Sequence, residues 1–64
     1  MKTIEIADRF FEDREALMDR LGIKKDTLWR MQQRGLPKGM RLGKVLYFDQ
    51  AKVDDWLLEN AEAA

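Results

Sequence analysis

The chain has 64 residues, with 12 cationic and 12 acidic side chains, a formal net charge of zero, and neither cysteine nor histidine. A domain of that size buries only about 60% of the surface its unfolded chain exposes, so three helices and a small sheet fit but a deep catalytic cleft does not. Without cysteine there is no disulfide or thiolate chemistry, without histidine the commonest acid–base group and metal ligand is missing, and the carboxylates show no calcium-loop spacing. No enzymatic activity, cofactor or metal is therefore expected. Nothing reads as a signal peptide, and no apolar run approaches the roughly 18–20 residues of a membrane span, so a cytoplasmic, nucleoid-associated location is expected. Hydrophobic residues make up 45% and charged residues 38% of the chain, the balance of a folded, soluble domain.

Thr3-Ile4-Glu5-Ile6 alternates polar and apolar, which suits a short strand or an extended arm within residues 1–12. Phe10 and Phe11 follow, and at least one is expected in the core. Asp13 is a good N-cap for a first helix running to Leu21, with Ala16, Leu17 and Leu21 on its apolar side. Gly22 stands where a helix-ending glycine belongs. A second helix is expected over Lys25 to Arg34, stopped by Gly35, with Leu28 and Met31 as a narrow apolar stripe and a broad polar, basic remainder. Pro37 and Gly39 mark a loop.

Met40–Leu42 and Val45–Phe48 then read as two short strands around Gly43-Lys44, where glycine at the first central position suits a type II′ turn. Asp49 is the expected cap of a last helix, Gln50–Asn60, which buries Val53, Trp56 and Leu57, and residues 61–64 are expected to fray. The order helix, glycine turn, helix, hairpin, helix makes a mainly α fold with a small β-hairpin: a single winged helix-turn-helix domain of three helices plus wing.

The neutral total hides a segregation of charge. Residues 1–19 carry three cations against six acids, net −3. Residues 20–48 carry eight cations against Asp26 alone, net +7. Residues 49–64 carry Lys52 against five acids, net −4. The basic block coincides with the second helix and the wing, where a local positive field favours a polyanion such as DNA.

Leu21-Gly22-Ile23, Thr27-Leu28-Trp29-Arg30, Gly35-Leu36-Pro37, Arg41-Leu42-Gly43, Phe48 and Val53-Asp54-Asp55-Trp56-Leu57 together resemble the excisionase and AlpA-type regulators, small phage- and plasmid-borne proteins with a MerR-like DNA-binding fold. The resemblance covers residues 13–57. It implies a second helix in the major groove of double-stranded DNA and a wing on the adjacent backbone or minor groove. It also implies a role as a recombination directionality factor or a small transcription regulator, with an integrase or neighbouring copies of the chain as partners on DNA. The chain departs from the family pattern at Lys24, where a serine or threonine usually caps the second helix, at Gln32, usually aliphatic, and at Val45-Leu46-Tyr47, usually basic.

The candidate DNA-contacting residues are Lys24, Lys25, Thr27, Trp29, Arg30, Gln33 and Arg34 on the second helix and Arg41 and Lys44 on the wing. Arginine can pair with guanine, glutamine with adenine, and lysine with phosphate. Trp29 sits on the border between apolar stripe and basic face and reads equally as core or as DNA-facing. Lys38 is less well placed. Asp54, Asp55 and Glu59 read as a solvated helix face. The same surface would serve a transcriptional activator or repressor, and a protein-interaction module without DNA binding is the alternative from another class.

Overall fold

The computed structural model describes residues 2–61. The elements in chain order are β1 (Thr3–Ile6), β2 (Arg9–Asp13), α1 (Arg14–Leu21), α2 (Lys25–Gln33), β3 (Met40–Leu42), β4 (Val45–Asp49) and α3 (Gln50–Asn60). The three helices and the β3–β4 wing stand where the sequence places them. The β part is larger than a single hairpin. The N-terminal stretch folds into a second hairpin that joins the wing through β2 and β4, making one antiparallel sheet in the order β1-β2-β4-β3.

Local chemistry accounts for most boundaries. The Asp13 carboxylate accepts the Ala16 backbone N–H at 2.8 Å and starts α1. Gly22, at φ 66°, ends it: its N–H donates to the Asp19 carbonyl at 3.3 Å and that of Ile23 to Met18 at 3.0 Å, a left-handed cap that a side chain would strain. The Asp49 carboxylate accepts the N–H groups of Ala51 and Lys52 at 3.0 and 3.3 Å and starts α3. The second helix ends at Gln33, one residue earlier than expected. Arg34 leaves the helical conformation while its N–H still reaches the carbonyls of Arg30 and Met31 at 3.1 Å.

In the wing, Gly43 has φ 63° and Lys44 does not have a positive φ, as a type II′ turn requires. A Cβ on Gly39 would lie 1.5 Å from the Tyr47 carbonyl oxygen, so only glycine lets the loop cross β4 there. The first hairpin has no glycine. Ile6 pairs with Arg9, which leaves Ala7 and Asp8 as a two-residue turn with φ 52° and 64°, the type I′ conformation. The fraying expected over residues 62–64 lies outside the described residues, and Ala61 is extended and exposed.

Leu17, Leu28, Leu36, Phe48 and Val53 form the core, one from each helix plus the loop and β4, with Ile23, Met31, Leu46, Trp56 and Leu57 among the residues packed around it. Trp56 lies half-buried on the rim of this cluster.

The expectation for Phe10 and Phe11 fails: Phe10 is 48% exposed, Phe11 is half-buried outside the core cluster, and Glu12 is the residue β2 buries, at 1% exposure. Register explains the exchange. Glu12 pairs with Phe48 and so shares the core face of the sheet, whereas Phe11 pairs with Ile4 and Asp49 on the opposite face. The buried carboxylate is satisfied. Arg20 Nε donates to its two oxygens at 2.9 and 3.1 Å, Arg20 Nη2 donates at 2.7 Å, and Gln50 Nε2 lies at 3.4 Å. Arg20 Nη1 also pairs with Asp54 at 2.9 Å, and Arg9 pairs with Asp49. Two readings of the sequence are corrected by this network. Arg20, counted in the basic block, is a structural cation, and Asp54 is a partner in an ion pair and not merely part of a solvated face.

Candidate nucleic-acid interface

The apolar side of α2 is narrow: Leu28 is buried, while Thr27, Met31 and Gln32 are half-buried. Residues four apart stack along a helix surface, so the exposed side of α2 carries two ridges. The first is Lys25, Trp29 and Gln33. The second is Asp26 and Arg30, continued by Arg34 just past the helix end. All six are exposed, and Trp29 is 61% exposed. The DNA-facing reading of Trp29 needs this placement; the core reading does not survive it.

Three open grooves surround the first ridge. A groove of about 440 Å³ lies between the starts of α1 and α2 and the wing, where the four cations Arg14, Lys25, Arg41 and Lys44 outnumber the two acids Asp13 and Glu15. A second, of about 410 Å³, runs along α2 past Arg14, Lys25 and Trp29. The third, of about 610 Å³, separates α2 from the wing, with Gln32, Gln33, Lys38 and Arg41 around a floor that includes Leu36, Leu46 and Phe48.

The structure therefore brings Lys25 together with Arg41 and Lys44 in the first groove, Lys25 with Trp29 in the second, and Gln33 with Arg41 in the third. Lys24 is exposed at the start of α2, outside the groove walls. Arg30 and Arg34 lie on the ridge farther from the wing. Thr27 is turned half into the protein, two residues from the exposed Trp29 on a helix whose period is about 3.6. Two further cations line these grooves. Arg14 belongs to an acidic stretch of sequence, and only the packing of α1 beside α2 carries it to the basic grooves. Lys38, judged less well placed, lines the α2–wing groove.

Arg30 lies 3.8 Å from Asp26, but both side chains are about 70% exposed (72% and 68%), and such a pair is worth only a few tenths of a kcal/mol. Arg20 is committed elsewhere, and its hydrogen bonds to Glu12 hold its pKa above the ordinary arginine value. Asp13, beside the first groove, is held below the usual carboxylate range chiefly by the Ala16 N–H, against a smaller opposing effect of burial. The start of α2 has no side-chain cap: Lys24 is extended, at φ −100° and ψ 171°, and its side chain makes no capping bond. Unpaired amides at a helix start and nearby lysines both favour an anion.

Among the described residues, no group of three or more acidic side chains is placed to hold a metal ion, and no helix is long and apolar enough to cross a membrane. No family model matches the chain, and no curated protein or solved structure matches it either.

Proposed function

We propose that this protein binds double-stranded DNA sequence-specifically, with α2 in the major groove and the β3–β4 wing on the adjacent backbone or minor groove. The observation that carries the reading is the convergence of Arg14, Lys25, Arg41 and Lys44, from three separate parts of the chain, on the groove beside α2, where they outnumber Asp13 and Glu15 two to one. A duplex offers a phosphate row on each side of a groove wide enough for a helix, and cations at the start of α2 and on the wing suit such rows. Phosphate contacts set register and orientation, while the exposed α2 ridges, with Trp29, Arg30 and Gln33, face the bases. The resemblance to excisionase and AlpA-type regulators extends the proposal to a recombination directionality factor or a small phage- or plasmid-type regulator; an activator or repressor would use the same surface.

The test is an NMR amide-shift titration with a short mixed-sequence duplex at several salt concentrations. Shifts should concentrate in residues 24–34 and 41–45 and at Arg14. With about five phosphate contacts, log affinity should fall against log salt with a slope of roughly −4 to −5. Unchanged spectra at low salt would overturn DNA binding. The exposed apolar wing residues Leu42 and Val45, 45% and 39% exposed, would then direct the search to a protein partner.

A further inference from the structure

Trp29 is the largest of the exposed apolar side chains among the described residues. The domain has two tryptophans; it packs Trp56 against the core and leaves Trp29 61% exposed. The ring stands in the middle of the outer ridge of α2, with Lys25 one turn before it and Gln33 one turn after. Arg14, Lys25 and Asp26 line the groove beside the helix with it. Lys25 also shares a groove with the wing cations Arg41 and Lys44, the end of the ridge that the DNA-binding proposal sets against phosphates. The middle of the ridge then meets the floor of the major groove, where the C5-methyl of thymine is the apolar group that the bases present. A solvated indole gains by covering a methyl and gains nothing comparable against the polar edge of a G·C pair.

We infer that Trp29 is a specificity-determining residue that packs its indole against a thymine methyl, so that the preferred duplex carries an A·T pair at the centre of the α2 contact. This rests on the DNA-binding proposal and adds the base that α2 selects. Lys25 and the wing supply affinity without regard to sequence, and Trp29 supplies discrimination through shape and apolar contact, without a hydrogen bond.

The experiment starts from the duplex enriched by the full chain from a random-core library. Each thymine is replaced in turn by deoxyuridine, which removes the methyl and leaves base pairing intact. Wild-type affinity should fall about fourfold at one or two adjacent positions, the equivalent of losing one buried methyl, and be unchanged elsewhere. W29A should bind the parent duplex more weakly and show no sensitivity at those positions. Because the ring is exposed, W29A should keep its fold, which its amide spectrum reports. A flat deoxyuridine scan in the wild type would overturn the inference while leaving DNA binding intact, as would a W29A protein that keeps the wild-type pattern. Failure to enrich any duplex would instead defeat the DNA-binding proposal at the first step.

Discussion

At the scale of single residues, Arg20 and Lys24 show how position decides what a cation does. Arg20 neutralises the buried Glu12 carboxylate, while its own side chain is 31% exposed and also holds Asp54. The two partners are therefore unequal. Arg20→Ala leaves Glu12 buried with Gln50 as its remaining partner, and should cost about 3–5 kcal/mol. Glu12→Ala leaves an arginine that can turn to Asp54 and water, and should cost clearly less. Urea denaturation of the two variants checks the order, and equal losses would mean that Glu12 finds another partner. Lys24 makes the opposite trade, since it occupies a cap position that it cannot fill. Lys24→Ser should stabilise the domain by about 1 kcal/mol, or about 4–8 °C in melting temperature. It should also reduce the salt slope of DNA binding by about one if Lys24 meets a phosphate. Melting curves and affinity against salt read the two effects separately, and an unchanged slope would remove Lys24 from the interface.

At the scale of elements, the first hairpin is the part that local sequence supports least. Its type I′ turn is made of Ala7 and Asp8, both in the left-handed region, where alanine pays a steric penalty of about 1–2 kcal/mol. Asn-Gly is the pair such turns prefer. The double substitution A7N/D8G should therefore raise the unfolding free energy by about 1 kcal/mol with an unchanged denaturant slope. No gain would mean that the turn adopts another conformation in solution. The lack of a turn signal is also why this hairpin reads from sequence only as a strand or an arm. Phe10-Phe11-Glu12 likewise gives no alternation from which to choose a buried face. The wing was legible because Gly43 sits at the turn position and flanks two apolar strands, and α1 and α3 because Asp13, Gly22 and Asp49 are caps in the literal chemical sense.

For the whole molecule, the absence of histidine makes a simple statement about pH. No side chain with an ordinary pKa titrates between about pH 5 and 8, so stability should be flat there. Below that range the lowered pKa of Asp13 matters. The unfolded chain, with its carboxyl near 3.9, binds the proton more readily than the folded one. The contribution of Asp13 is therefore complete above about pH 5 and fades as pH falls through the lower folded value. Asp13→Asn, which keeps a capping oxygen but carries no charge, should make the acid limb shallower by lowering the plateau, which stays flat. Thermal melts from acid to neutral pH check both; a step in the plateau would point to an ionisable group with a displaced pKa.

By itself the sequence determined the helices, their caps, the wing and the basic block at residues 20–48, because each depends on chemistry between residues a few positions apart. Only the tertiary structure decided which charges are free and which faces are wet. Glu12 goes inside because sheet register sets it opposite Phe48. Arg20 leaves the basic surface because Glu12 and Asp54 come to it from β2 and α3. Arg14 joins that surface because α1 begins beside Lys25 and the wing. These outcomes rest on contacts between segments distant in the chain, and neither the local charge balance nor hydrophobic periodicity contains them.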